Sequence, residues 1–489
     1  MTSQNPSQKN KKMLNLIFIG LIALTAVTVC SKSSFLYPFN DWVDVNCYMT
    51  MGKGLTRGSL PYRDLFDHKG PLFYFLAAFA ATVSPTSFTG FWILESLSAF
   101  FFLLYFWKTL CLLTDRAWIG WVPAAALVIF TSGSFCYGGG TEELCLPFLA
   151  YALYVGTRII RAQGDMDLGK MFAIGMTSGA VLWIKYSMLG FYAGWIIIPF
   201  YLAVKKKKIM PFIKGILMII LGVAAVSFPV LLWLYLQGIL DDMLEVYFIS
   251  NIFAYSNGGG LLIMLRHMLS GLHLTLVYLL VPFLLAGLGI LYYLRKDLVT
   301  ALFFFTSGLL FGIVAFSGGH GIMYYPLPIS PLSVIGFAAL NDFCENRDFL
   351  RLLNRKSAVA VFTSACVAGM YFLSPNTYMM KYDKEDLSQF QFKEIICQEE
   401  NPTLLNYGFL DGGFYTACGI YPEFKYFCKL NLELPEMLDA QEEYIENRVP
   451  LFVVTRNRNP ELDGYECIAE SSYYTEGRTQ YYYLYRRSN

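Results

Sequence analysis

Between Asp41 and Lys69 the sequence gathers Asp41, Asp44, Tyr48, Lys53, Arg57, Tyr62, Arg63, Asp64, Asp67, His68 and Lys69 within 29 residues. Gly52, Gly54, Gly58, Pro61, Gly70 and Pro71 are interleaved with them and shape tight turns. Asp44 and Tyr48 are four apart, so on a helix they share one face. A carboxylate held at a membrane boundary is the group needed to take a proton from an attacking hydroxyl. Two plainer readings compete: a solvated loop, and contact with lipid headgroups.

A second constellation is Tyr137-Gly138-Gly139-Gly140-Thr141-Glu142-Glu143-Leu144, in which two carboxylates open an apolar run. Glu in a first helical turn favours the dipole, and Thr141 is the expected N-cap. Three glycines exceed what a cap needs and let a ligand approach the backbone. Lys185 stands between two apolar runs, at the outer end of a tight helical hairpin. A cation at that depth either snorkels or meets an anion, such as a lipid phosphate. Arg266 and His267 read as interfacial, and His320 in Ser317-Gly318-Gly319-His320-Gly321 faces outward. The eleven cysteines form no CxxC pair and the four histidines no HExxH, which excludes zinc knuckles, thioredoxin-type sites and zinc proteases.

The elements that must position these groups follow from composition. Hydrophobic residues make up 56% of the 489 and charged residues 15%; soluble proteins average roughly 45–50% and about 25%. A soluble enzyme is excluded, and the net charge of +1 gives no reason to invoke nucleic acid. The apolar runs are Met13 to Cys30, Phe88 to Leu113, Trp118 to Ser132, Leu144 to Val155, Met171 to Ile184, Leu189 to Val204, Met210 to Leu236, Leu274 to Leu294, Leu298 to Phe316, Tyr325 to Leu340 and Ala358 to Leu373. The first follows Lys9, Lys11 and Lys12 without an A-x-A-like cleavage site and reads as a retained span. Pro71 to Val83 covers about 20 Å as a helix, short of the roughly 30 Å hydrocarbon core, and is expected in the interface.

With that assignment the amino terminus, Asp115-Arg116, the Arg158 to Lys170 loop, Lys205 to Lys208, Arg295-Lys296 and the Arg347 to Lys356 loop fall on one side, the cytoplasmic one. The expected fold is an α-helical polytopic membrane protein of eleven spans with an interfacial helix in its first outer loop, plus a small C-terminal extracytoplasmic α/β domain. Residues 1–373 form the membrane domain, 31–87 its first outer loop and juxtamembrane helices, and 374–489 the soluble domain. Ser31 to Gly70, Gly133 to Glu143 and Gln237 to Gly260 also face outward. In the tail, Leu451 to Thr455 and Tyr481 to Tyr485 read as strands and Pro435 to Asn447 as a helix. Its Cys397, Cys418, Cys428 and Cys467 are disulfide candidates in an oxidising compartment.

Asp44-x-x-x-Tyr48, Gly58-x-x-Pro61-Tyr62-x-Asp64-x-x-Asp67-His68-Lys69-Gly70-Pro71, Thr141-Glu142-Glu143 and Trp183-Ile184-Lys185 together resemble the GT-C membrane glycosyltransferases, which use polyprenyl-phosphate sugars and include the protein O-mannosyltransferases and the aminoarabinose lipid A transferases. The likeness is greatest to a bacterial branch and covers about the first 190 residues. It implies transfer of a sugar from a polyprenyl-phosphate donor to a glycan, lipid or protein acceptor on the outer face of the cell membrane. It further implies Asp44 as base with Asp41 as substitute, Glu142 or Glu143 as the second acidic group, and Lys69 and Lys185 near the donor phosphate. Tyr48, Tyr62, Asp64, Asp67, His68 and His320 are grouped with them as substrate-binding candidates. A divalent cation is compatible with such a site, and no nucleotide cofactor is expected, since the activated sugar arrives within the membrane. At Met323-Tyr324-Tyr325-Pro326, where relatives often carry His before the aromatic pair, the chain departs from the pattern, which leaves the role of that segment open. A transporter or lipid-linked-glycan flippase without transferase activity is the competing class; it calls for ionisable groups in mid-span, where Glu95 is the main one.

Overall fold

A computed structural model of the chain describes residues 6–254, 260–318, 321–346, 355–431 and 434–488. In lipid every backbone N–H and C=O must be satisfied within its own segment, and the apolar runs accordingly form helices. In chain order these are α1 (Pro6–Cys30), α2 (Val43–Thr56), α3 (Pro71–Val83), α4 (Thr89–Leu113), α5 (Trp121–Phe130), α6 (Thr141–Arg161), α7 (Leu168–Lys185), α8 (Leu189–Trp195), α9 (Ile197–Lys205), α10 (Ile209–Leu236), α11 (Leu240–Met243), α12 (Leu261–Tyr278), α13 (Leu280–Lys296), α14 (Leu298–Ser317), α15 (Val334–Asn346) and α16 (Lys356–Leu373).

Among the described residues eight helices are long and apolar enough to cross a membrane, or nine if one bent pair counts as a span. The eleven expected spans are not reproduced as eleven such helices, for three reasons. The helix α5 has only 10 residues. The run Leu274 to Leu294 breaks at Leu279, where α12 and α13 meet at 106°. And α7 to α9 form one helical stretch of 38 residues, Leu168–Lys205. Straight, that stretch would reach about 57 Å at 1.5 Å per residue. Yet Lys208, just past its end, donates to the Gln163 carbonyl (3.1 Å) and pairs with Asp165 (2.6 Å), both just before its start. The stretch therefore folds back on itself, at Lys185, whose backbone is extended (φ −155°, ψ 90°). Lys185 occupies the turn of the hairpin that its flanking runs predict.

The loops sort to two ends. At one, Arg161 donates to the Leu112 carbonyl (3.0 Å), Asn341 to the Arg116 carbonyl (3.1 Å), and Lys296 pairs with Asp342. The basic loops thus lie together, apart from 347–354, which fall outside the described residues. At the other end Asn376 donates to the carbonyls of Cys30 (2.6 Å) and Cys136 (2.8 Å), joining the loops after α1 and α5 to the tail.

The tail carries a four-stranded sheet of order β1-β2-β4-β3, with β1 (Leu404–Asn406) parallel to β2 (Phe452–Arg456), and with β4 (Arg478–Arg487) antiparallel to both β2 and β3 (Tyr465–Thr475). The predicted strands lie in β2 and β4, and the predicted helix runs over Pro435–Glu446. The sheet domain grips α2: Thr50 donates to Asp411 (2.6 Å) and Lys53 to the Tyr415 carbonyl (2.7 Å). All eleven cysteines are free, so no bridge links the four tail thiols; Cys428 instead faces Cys47 of α2, at 4.0 Å.

The β3–β4 hairpin also covers Asp41. Lys32 and Asp41 pair at 2.7 Å with no side-chain exposure, and Asp41 further accepts from Tyr473 (3.2 Å) and Thr475. Its expected role with substrate gives way to domain docking, because these three partners enclose its carboxylate. Asp41→Ala should lower stability by about 3–5 kcal/mol, the usual cost of stranding one partner of a buried pair. The check is the unfolding midpoint in detergent.

Candidate functional site

The helix α2 opens with Asp44 in its first turn, where a carboxylate meets the positive end of the helix dipole. Wedged between α3 and the tail, it buries polar and apolar residues alike. Asp44 accepts a hydrogen bond from the Tyr324 hydroxyl at 2.9 Å. Burial pushes its carboxyl above the usual range, and the Lys69 ammonium and the Tyr324 bond draw it partly back. Tyr48, one turn on, sets its ring edge-on to Phe73 (4.7 Å) and faces the Lys69 ammonium at 5.8 Å.

The loop after α2 brings Asp67, His68 and Lys69 into the same space. Tyr62 holds a left-handed φ of +73°, a strain of about 1–3 kcal/mol for a residue with a Cβ. It persists because its hydroxyl donates to the Lys69 carbonyl (2.8 Å) and its ring packs against Tyr74 (5.6 Å). Gly70 then passes the end of α7 so closely that a Cβ there would lie 2.1 Å from the Trp183 carbonyl oxygen. Asp67 accepts from the Tyr74 hydroxyl at 3.1 Å; burial raises its carboxyl and Lys69 opposes the rise. His68 lies between the Lys69 ammonium (2.9 Å) and Asn251 (2.8 Å), and burial and Lys69 hold its imidazole well below the ordinary range.

Asp44, Tyr48, Asp67, His68 and Lys69 line a pocket of about 20 Å³, with Tyr324 and Tyr325 and with Leu410, Leu430 and Asn431 from the tail. One water needs roughly 10–15 Å³ on such a measure. His68, Lys69 and Tyr325 also line a second pocket of about 250 Å³, which Lys185, Ser187 and Asn251 extend. An apolar groove of about 650 Å³, lined mainly from α3, α4, α6 and α7, shares Ile184 with the lining of the second pocket.

Gly138 (φ +92°) and Gly139 (φ +85°) turn the chain into α6, which begins at Thr141. The cap is Gly140 without a side-chain bond, not Thr141 as expected, because the Thr141 hydroxyl goes to Glu142 (2.7 Å). Neighbours on a helix point about 100° apart, and the two glutamates diverge accordingly. Glu142 forms an ion pair with Lys185, whose ammonium lies 4.0 Å from the centre of the Tyr325 ring. Glu143 accepts the Gly139 N–H (3.1 Å) and adjoins the wholly buried Glu95.

Asp44, Tyr48, Asp67, His68 and Lys69 thus meet in one pocket, with Lys185 in the next and Glu142 bound to it. Tyr62 stands behind Lys69, Asp64 is exposed and accepts from the Leu60 N–H (2.8 Å), Asp41 docks the tail, and Glu143 braces the glycine turn. His320 lies outside the described residues. Sequence reasoning missed Tyr324 and Tyr325, which the aromatic pair before Pro326 signalled, and Tyr247 and Asn251, which no motif marks. Among the described residues no three His, Cys, Asp or Glu come together as metal ligands.

This architecture is shared with solved structures. ArnT from Cupriavidus metallidurans bound to undecaprenyl phosphate matches with a TM-score of 0.63 over 97% of this chain and 98% of that one, at 12% identity. The apo state of the same protein matches with a TM-score of 0.64, at 11% identity over 98% of each chain. The fold is therefore the one that these ArnT structures have. No curated protein matches the chain in sequence. The family model for the competence-induced protein Ccs4 N-terminal domain matches residues 3–287, more than half of the chain, which therefore belongs to that family.

Glu142→Ala strands Lys185 and should cost about 3–5 kcal/mol. The double variant Glu142→Ala with Lys185→Met removes both charges and should be more stable than Glu142→Ala alone, against simple additivity. Unfolding midpoints of Glu142→Ala, Lys185→Met and the double variant in detergent test this.

Proposed function

We propose that the chain transfers a sugar from a polyprenyl-phosphate donor to an acceptor hydroxyl at the outer face of the cell membrane. In this reading residues 1–373 are the catalytic membrane domain, 374–489 an extracytoplasmic domain closing over it, and the end rich in Lys and Arg lies in the cytoplasm. The observation that carries it is the adjacency of a buried carboxylate, Asp44, to a cationic pocket lined by Lys69 and Lys185, which shares Ile184 with the lining of an apolar groove. A sugar phosphate brings its own leaving group, so the protein supplies a base for the acceptor and cations for the departing phosphate.

Asp44 takes the proton as the acceptor oxygen attacks the anomeric carbon; the bond from that carbon to the phosphate oxygen breaks, and the electron pair leaves with the phosphate toward Lys69 and Lys185. A carboxyl raised by burial suits this task, because a base works best with a pKa near the operating pH. The small pocket beside Asp44 suits one hydroxyl oxygen, and the apolar groove suits a prenyl chain. Undecaprenyl phosphate, bound by the structural neighbour, is the carrier lipid to test first. Glu142 keeps Lys185 charged and in place.

Purified protein in nanodiscs, supplied with a synthetic polyprenyl-phosphate sugar, tests the reading. Asp44→Asn should lower turnover about 10²–10⁴-fold while the protein stays folded, since a positioned base contributes that much. Lys69→Met should weaken donor use. Wild-type turnover in Asp44→Asn would remove the reading.

A pH profile adds a signed prediction. The Tyr324 hydroxyl stabilises ionised Asp44, so Tyr324→Phe raises the Asp44 pKa further. Only the ionised base works; the acid limb of turnover should therefore move to higher pH, with activity lost at low pH and regained as pH rises. For orientation, a membrane-impermeant thiol reagent should label Asp64→Cys and not Lys207→Cys.

A further inference from the structure

Leu244–Ala254 is a π-helix of 11 residues next to the cationic pocket. Such helices are rare and mostly single turns, with bonds to the fifth residue, and they concentrate at functional sites. Two of its side chains bond the residues that flank the two lysines. Tyr247, buried, donates its hydroxyl to the Leu182 carbonyl (2.7 Å) and accepts the Tyr186 N–H (3.0 Å), gripping the backbone on both sides of Lys185. Asn251, four residues on, donates its amide nitrogen to the carbonyls of His68 and Tyr247, each at 2.9 Å.

Carbonyl oxygens only accept, so those two bonds identify the Asn251 nitrogen, and its Oδ1 is the atom that meets His68 Nδ1 at 2.8 Å. Nδ1 therefore carries the proton. An ammonium only donates, so Nε2, 2.9 Å from Lys69 Nζ, is the acceptor. His68 is a neutral imidazole in one tautomer, and burial with the Lys69 and Lys185 ammoniums opposes its charging. The carboxyls that share its pocket are Asp44 and Asp67.

We infer that the Leu244–Ala254 π-helix is a clamp for an anion-binding lysine pair, in which Asn251 sets Lys69 through the His68 tautomer and Tyr247 sets Lys185 through the turn beside it. Both are positioning residues that act through the lysines. The anion assigned to the pair, a lipid phosphate, rests on the function proposed above; the clamp itself rests on the hydrogen bonds.

Asn251→Asp is the discriminating variant. It puts a carboxylate against Nδ1 and favours the imidazolium, which has no lone pair on Nε2 to accept from Lys69 and repels its charge. Full-length chain labelled with ¹⁵N-histidine in nanodiscs has four histidines, and His68→Gln assigns the signal. Wild type should show the neutral Nδ1–H tautomer from about pH 6 to about pH 8, the range in which free histidine titrates. Asn251→Asp should show an imidazolium at the lower end. The same samples are titrated with undecaprenyl phosphate. Asn251→Ala and Tyr247→Phe should weaken binding about tenfold, the scale of one charge-assisted hydrogen bond, at a temperature well below the unfolding midpoint of each variant. Asn251→Asp should weaken it at low pH and recover as pH rises, which a merely structural defect would not do.

An Nε2–H tautomer or an imidazolium in wild type would overturn the clamp, and so would wild-type affinity in both Asn251→Ala and Tyr247→Phe. The expected tautomer in a wild type that does not bind undecaprenyl phosphate would support the clamp and overturn the lipid-phosphate reading.

Discussion

An ammonium at the turn of a membrane hairpin is costly unless an anion meets it, and Lys185 meets Glu142. The rest of the outer site obeys the same constraint. Each charge there lies where water is scarce, so each is held by another polar group: Asp44 by Tyr324, Lys32 by Asp41, and Lys69 by the neutral His68, which Asn251 holds in turn. Because the partners come from distant parts of the chain, holding the charges also holds the fold. Glu142 and Lys185 tie α6 to α7, Tyr324 ties the segment before α15 to α2, and Asn251 ties the π-helix to the first outer loop.

The tail belongs to this network. It lies on α2, the helix that carries Asp44, through Thr50, Lys53 and Cys47, and it contributes Leu410, Leu430 and Asn431 to the wall of the Asp44 pocket. The β3–β4 hairpin closes over Lys32 and Asp41. Burying that ion pair between the two parts gives their relative placement a specific register, since neither charge can be left unpaired away from water.

Several features were legible before any coordinates. The hydropathy runs located most helices, since a 20-residue apolar stretch has few other stable states in lipid. The short Pro71 to Val83 run is a separate 13-residue helix, and the hairpin turn at Lys185 followed from a lone cation between two apolar runs. The charge-dense first loop located Asp44, Tyr48, Asp67, His68 and Lys69. Local signals erred where a side chain had a choice of partner. Thr141 suited a cap and bonded Glu142 instead; Asp41, three residues before Asp44, stood as its substitute, yet it docks the tail while Asp44 lines the pocket.

What the sequence by itself determined is therefore the medium, the helices, and the short stretch that carries the acidic and basic groups, because these depend on local hydropathy and on residue type. Only the tertiary structure decided which of those groups face one another. Glu142 and Lys185 are 43 residues apart, His68 and Asn251 183, and Asp44 and Tyr324 280. Nothing in a local window encodes such pairings; they are settled when helices pack and each buried charge takes the partner that the packing brings within hydrogen-bond reach. For the same reason Asn251, an ordinary amide in an apolar run, carried no signal until the π-helix set it against His68.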